Sequence, residues 1–407
     1  MFSSYRRVLA PPGALAFTLY GLIGRLSYSM LGVSLLTAIV ARRHSYALAG
    51  TVSAAGMIGV ALGMPLLGWL VDRYGQSRVS VPTALVSAVP RTAAPFLIHG
   101  GAPGWLLCLA SFVASVAPNL GGMSRARWTH LHGTDPSALH SANSLEQVLD
   151  ELCFMAGPVL GMLLCTTLYP EAGLLAISAL STAGALLFAA QRRTEPPIAA
   201  APSGGSRSPL RSPGTLVLLA VFFVTGILFG SMEIGTLAWA GSHGHQSVAG
   251  VLLGLQAAGS CVSGLAFGLL PARRAPGTRL LLGLTAMSCL MLLPVTVAGL
   301  GGGPGLLAVA LFLAGTGTAP TMVTGMTLLQ RVLPAAALNE GMAIAVSGIV
   351  TGISAGSALG GAVAQQSGGA GTGFALPAAA AALALLVALV GTRWLASPAT
   401  ARVPARR

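Results

Sequence analysis

Gly68-Trp69-Leu70-Val71-Asp72-Arg73-Tyr74-Gly75-Gln76-Ser77-Arg78 is a charged turn wedged between two long apolar segments. It stands out because only 8% of the 407 residues are charged, whereas 54% are hydrophobic and the mean hydropathy is +0.79. A soluble chain needs a charged skin, with about 25% charged residues as the usual figure. The composition therefore predicts an integral protein of the lipid bilayer. A spanning helix takes roughly 20 mostly apolar residues, and both flanks of the turn supply them, at 47–71 and 79–98. Working outward, further spans are expected at 14–40, 104–127, 141–168 and 171–190. Beyond a polar gap a second set falls at 215–239, 247–270, 278–299, 304–330, 340–365 and 372–396. The expected fold is all-α, with 12 transmembrane helices in two six-helix bundles. Residues 1–191 and 214–407 would form the two halves. The Pro-, Ser- and Arg-rich stretch 192–213 would be a flexible cytoplasmic linker.

Arginines set the orientation, because the chain has no lysine. With the N-terminus inside, the inner segments carry Arg6, Arg7, Arg73, Arg78, Arg125, Arg127, Arg192, Arg193, Arg207, Arg211, Arg273, Arg274, Arg279, Arg331, Arg393, Arg402, Arg406 and Arg407. The outer loops carry only Arg42 and Arg43. Cytoplasmic loops collect basic residues, so both termini are expected in the cytoplasm of a multi-pass plasma-membrane protein. The net charge of +13 reads as an insertion signal and an attraction to anionic lipids. It does not read as nucleic-acid binding, since the arginines are scattered over short loops rather than clustered on one face. The apolar run from Pro11 to Val40, interrupted by Arg25, is too long for a cleavable signal peptide.

The two sets of spans echo one another. Ala49, Gly50, Gly59, Gly68, Leu70 and Arg73 reappear 200 residues later as Ala249, Gly250, Gly259, Gly268, Leu270 and Arg273. Ala156-Gly157-Pro158-Val159-Leu160-Gly161 is echoed 199 residues later by Ala355-Gly356-Ser357-Ala358-Leu359-Gly360. Several matches at one register argue for a duplicated unit.

The turn itself resembles the loop between the second and third helices of major facilitator superfamily transporters. That pattern is Gly, three residues, Asp, Arg, any residue, Gly, then basic residues. Gly68, Asp72, Arg73, Gly75 and Arg78 match it, Ser77 stands where a second basic residue is usual, and Ala272 replaces the Asp in the second copy. The glycine-proline stretch Gly157-Pro158…Gly161 is similar to the tail of a motif in drug/proton antiporters of that superfamily. The resemblance implies parallel six-helix halves and a conformational latch. In it, Asp72 sits on the positive N-terminus of the eleventh span, near Asn339-Glu340-Gly341. Gly68 suits close helix packing, Gly75 suits a helix end, and Pro158 removes a backbone bond and kinks its helix.

Ionisable groups inside a bilayer are costly and usually functional. Arg25 lies about 16 Å into the first span, and Asp150 and Glu151 about 14–15 Å into the fifth, at 1.5 Å per residue. An ion pair between Arg25 and Asp150 or Glu151 is expected. Arg91 lies mid-depth in the third span, Glu233 toward the outer end of the seventh, and Asn119 in the fourth beside Pro118. Two cations against three carboxylates leave one carboxylate over. A lone buried carboxylate is relieved by taking a proton, so Asp150, Glu151 and Glu233 are candidates for proton coupling. Glu146 closes an Asn143-Ser144-Leu145-Glu146 sequence with capping-box spacing, and is expected to cap the fifth span.

The five cysteines form no CxxC pair and read as small buried apolar residues. His130, His132 and His140 are expected to be solvated in one loop, and His243 and His245 in another, so no metal site is predicted. There is no GxxxxGK[ST] string and no expected cofactor or enzymatic chemistry. The sequence reading is a secondary transporter, expected to be a monomer, working by alternating access. Proton-coupled export of a small organic molecule, lipophilic or cationic, is the leading activity. A sugar or metabolite transporter and a non-transporting scaffold or receptor are the alternatives.

Overall fold

A computed structural model describes residues 3–198, 210, 212–244, 248–270, 275–366 and 372–395. The middle of the 192–213 linker, Ala272, Arg273, Arg274 and His245 lie outside the described residues. Within them all regular structure is helical, and eleven helices are long and apolar enough to cross a membrane. They are α1 (Ala14–Arg43), α2 (Ala47–Tyr74), α3 (Gln76–His99), α4 (Gly104–His132), α5 (Pro136–Thr167) and α6 (Ala172–Ala190). After the linker come α7 (Pro213–Ser242), α8 (Ala249–Leu269), α9 (Pro276–Gly299), α10 (Pro304–Val332) and α11 (Ala335–Gln365). The expected twelfth span is represented by a shorter apolar helix, α12 (Ala375–Val390).

Local chemistry explains where the helices break. Gly75 ends α2 and starts α3 with a φ of 94°, a left-handed conformation open to glycine. Three helix boundaries differ from expectation. The third helix begins at Gln76, because a single glycine suffices for the turn. The fourth is interrupted around Val116–Asn119, where Asn119 Oδ1 accepts from Gly122 N at 3.0 Å and caps a second segment running to His132. The fifth starts at Pro136, with Asp135 accepting from the N–H groups of Ser137 and Ala138. Glu146 therefore lies well inside α5, and its expected capping role is overturned: Asp135 already caps that end.

The sequence echo corresponds to repeated packing. Gly59 on α2 and Gly259 on α8 each present their Cα to a phenylalanine carbonyl, Phe112 O and Phe312 O, so closely that neither site has room for a Cβ. On α5, Gly157 and Gly161 abut Ser29, Met30 and Ser34 of α1; on α11, Gly356 and Gly360 abut Ile227, Ser231 and Ile234 of α7. A Cβ on Gly68 would lie 2.9 Å from Ala343 Cβ, and one on Gly268 would lie 2.6 Å from Ser144 Cβ. Residues 144 and 343 are themselves 199 apart. Small residues let helices approach where lipid supplies no hydrophobic drive to associate, and here they do so at matching positions in both sets.

The segment Ser3–Leu9 forms a short helix against α5. Tyr5 donates its hydroxyl to Leu265 O on α8 at 2.9 Å, and Val8 is fully buried.

Candidate cavity between the two helix sets

Both sets line a cavity of about 790 Å³, with walls from α1, α3, α4, α5, α7, α8 and α11 among others. The end of the bundle that bears Asp72 is closed. Asp72 Oδ1 accepts from Asn339 N at 3.0 Å and Asn339 Nδ2 at 2.8 Å, and Oδ2 accepts from Glu340 N at 2.8 Å. This seats the carboxylate on the first N–H groups of the α-helical part of α11, which begins at Leu338 after a 3-10 turn, where the helix dipole favours negative charge. Gly68 allows the approach, since a Cβ there would meet Asn339 O at 2.7 Å. Arg73 lies over the Trp69 and Tyr74 rings, and Arg78 is exposed. At the matching junction of α5 and α8, Ser141 Oγ donates to Gly268 O at 2.7 Å, and His140 Nε2 is 2.7 Å from Phe267 O. Asn143 Nδ2 donates to Thr327 Oγ1 and Gln330 Oε1 of α10.

Above this closure lies a buried charge cluster. Arg25 donates from one nitrogen to Glu146 Oε2 at 2.6 Å and to Asp150 Oδ1 at 2.9 Å. Arg125 donates to Asp150 Oδ2 at 2.8 Å, and Trp128 Nε1 donates to Glu146 Oε1 at 2.7 Å. Glu146 and Asp150 are one helical turn apart, so they share a face of α5; Gln147 and Glu151 share the next. The expected partner choice for Arg25 is thus decided in favour of Asp150. Glu151 turns away: its Oε1 accepts from Gln147 Nε2 at 3.1 Å and from Ser260 Oγ of α8 at 2.8 Å. Thr318 Oγ1 in turn donates to Ser260 Oγ at 2.8 Å. Two arginines and two carboxylates balance, and Glu151 has only neutral partners.

The remaining candidates sit apart. Arg91 donates to Ser181 Oγ at 2.7 Å and to Ala114 O. Glu233 is exposed to the cavity and bonds to none of the described residues. Asn119 lines the wall with Nδ2 buried and unpartnered among the described residues. Pro158 also lines it, while Gly157 and Gly161 lie behind against α1.

A family model described as Major Facilitator Superfamily matches residues 17–302. The chain belongs to the major facilitator superfamily. An uncharacterized MFS-type transporter, y4rN, of Sinorhizobium fredii is 27% identical over 391 residues, covering 89% of this chain and 91% of that protein. The fold of the present chain is similar to that of a bacterial homologue of the iron transporter ferroportin in an outward-facing state. That match has a TM-score of 0.76 and 16% identity, and covers 93% of this chain and 99% of the other. The Escherichia coli fucose:proton symporter FucP matches at a TM-score of 0.69 and 16% identity, over 93% and 98% of the two chains.

In this superfamily member the sequence reading missed four participants. Arg125 and Arg127 count among the cytoplasmic-side arginines at the inner end of the expected span 104–127, yet both are buried on α4, because the cap at Asn119 carries that helix on to His132. Arg127 donates to Gln76 Oε1, Phe188 O, Gln191 O and Thr194 Oγ1, which ties α3 to the end of α6. Glu195 accepts from Ser77 N at 2.8 Å and Ser77 Oγ at 2.5 Å, so the missing basic residue of the turn is answered by an acid that caps α3. Glu146 is the fourth, and its four-residue spacing from Asp150 was the available signal. The expected solvation of His132 and His140 is also corrected. His132 stacks on Trp128 within α4, and His140 is buried against Phe267 and Arg279. Among the described residues no three His, Cys, Asp or Glu side chains are grouped to hold a metal ion.

Proposed function

We propose that this protein is a secondary active transporter that couples proton movement to export of a small organic molecule by alternating access. In this reading α12 is the twelfth span. Residues 1–191 and 214–407 are the two halves, joined by the 192–213 linker, and the protein works as a monomer in the plasma membrane. The arginine bias puts both termini and the Asp72 end in the cytoplasm, so the cavity opens outward. The membership of a transporter superfamily supports transport rather than enzymatic chemistry.

Glu151 carries the coupling argument. It is a cavity-lining carboxylate without a cation, and its bond to Ser260 crosses from one half to the other. Both bonds go to Oε1, which leaves Oε2 to take a proton from the open side. A charged carboxylate strengthens the hydrogen bond it accepts, with about 1.5–3 kcal/mol for bonds to charged groups against 0.5–1.5 kcal/mol for neutral ones. Protonation would therefore loosen the contact between halves and favour their rocking apart. Asp150, tied to two arginines, is suited to a fixed structural charge instead.

The test uses liposomes holding purified protein and an internal pH-sensitive dye. Addition of a transported compound from a panel of drugs, sugars and amino acids should move protons in the wild type. Glu151→Gln should bind the same compound and move none. Proton movement that survives this substitution would remove Glu151 from the mechanism.

A further inference from the structure

Besides Glu151, two side chains of the cavity carry charge with no opposite charge bonded to them among the described residues, one on each helix set. Arg91 belongs to α3 and is anchored through Ser181 of α6 and Ala114 of α4, so its guanidinium is fixed to the first helix set with only neutral acceptors. It uses two of the five N–H groups a guanidinium offers. Glu233 belongs to α7 in the second set, faces the same cavity and has no cation beside it among the described residues. Counting from the Asp72 end at 1.5 Å per residue, Arg91 lies about 22 Å along α3 and Glu233 about 30 Å along α7. Neither bonds to the cluster around Arg25, so that network is left intact. The cavity lining as a whole is mainly apolar, with Phe229, Ile353 and Val159 among its side chains.

An unpaired charge in an apolar cavity is costly, and it is relieved by an opposite charge brought in with the ligand. We infer that the substrate is zwitterionic: an anionic group for Arg91, a cationic group for Glu233, and an apolar body between. A cavity of about 790 Å³ is about 9 Å across if taken as a cube, within the 300–1,000 Å³ usual for small-molecule sites. That matches a medium-length ω-amino acid. This inference rests on the proposed reading of the cavity as the substrate site.

Binding of 8-aminooctanoate, octylamine and octanoate to the purified full-length protein, followed by calorimetry without any gradient, tests it. Each charge contact should contribute about tenfold in affinity. The amino acid should then bind about tenfold tighter than either single-charge analogue. Arg91→Gln should reduce it to the level of octylamine, and Glu233→Gln to that of octanoate. Arg91→Lys, which keeps the charge, should retain most of the preference; each comparison is made within one variant, so a folding defect is visible as loss of all binding. Equal affinities for the three probes in the wild type, no binding of any at millimolar concentration, or preferences untouched by both substitutions would overturn the zwitterion assignment. The cavity reading fails separately, if Ser181→Trp, which fills the Arg91 wall, leaves dye-reported transport unchanged.

Discussion

Asp72→Asn is the most direct test of the closed Asp72 end. The carboxylate accepts three hydrogen bonds from the start of α11, two of them from backbone N–H groups. Asparagine keeps one acceptor oxygen but turns an NH₂ toward Glu340 N–H, so one bond is lost and a donor opposes a donor. The other two bonds fall from charge-assisted to neutral strength, a loss of about 1 kcal/mol each, and the helix-dipole attraction of about 0.3–1 kcal/mol also goes. With the lost charge-assisted bond at about 1.5–3 kcal/mol, the closed arrangement should weaken by about 4–6 kcal/mol, a shift of roughly a thousandfold or more in any equilibrium between closed and open at this end. Nitroxide labels at the exposed positions Arg193 and Ala335, in a background without the five native cysteines, report it by pulsed electron resonance. The wild type should give one short distance, and Asp72→Asn a second, longer population. Transport should slow while membrane protein levels hold. An unchanged distance distribution together with unchanged transport would refute the latch.

Three further outcomes follow from the packing. Glu146→Gln leaves buried Arg25 and Trp128 short of a charged acceptor; breaking one partner of a buried pair costs about 3–5 kcal/mol. The melting temperature should fall sharply, and Arg25→Gln in the same chain should recover part of it; a neutral Glu146→Gln would show the pair to be dispensable. Gly59→Ala and Gly259→Ala each push a methyl into a phenylalanine carbonyl, and overpacking of this kind costs about 1–3 kcal/mol. Both should lower the melting temperature, and an effect at only one would contradict the repeated contact. Glu171, between α5 and α6, is buried, which alone would raise its pKa. Bonds from Arg42, its own backbone and His99 outweigh burial and hold it below the usual carboxylate value. A depressed carboxylate stabilises the fold above its ordinary pKa of about 4.3, and that stability is lost as pH falls through the lower folded value. The acid side of the stability profile should flatten in Glu171→Gln; identical profiles for the two proteins would rule the pair out.

Much of the fold was legible because it rests on long apolar runs and on glycines at one register. Gly59, Gly68 and Gly157 could be recognised as close-approach points, since a glycine in an apolar helix usually marks one. The Asp72 contact was legible through its motif. The charge cluster was only half legible. Arg25 and Asp150 were found because each interrupts an apolar run, which is what makes an ionisable residue visible in a membrane sequence. Arg125 and Glu146 were not, because each lies near the inner end of its expected span, 104–127 and 141–168, among polar residues where a charge interrupts no apolar run. The span α4 continues past its apolar stretch only because Asn119 restarts it, and no hydropathy window registers a side-chain cap. Likewise Ser77 looked like a defect in the turn until Glu195, 118 residues away in sequence, was seen to cap the same helix.

The short helix at Ser3–Leu9 bears on the order of assembly. Tyr5 precedes its acceptor, Leu265 O, by 260 residues in the chain. Contacts of such long sequence separation form late, because the chain between them must first be ordered. The segment packs on α5 and α1 of the first set, but the Tyr5 hydroxyl lacks its acceptor until α8 has been inserted beside α5. Formation of that bond then marks the moment at which α8 is correctly seated against the first set, and a chain that stops or misinserts before Leu265 leaves the Tyr5 hydroxyl without it. That one hydroxyl is a built-in report of completed assembly.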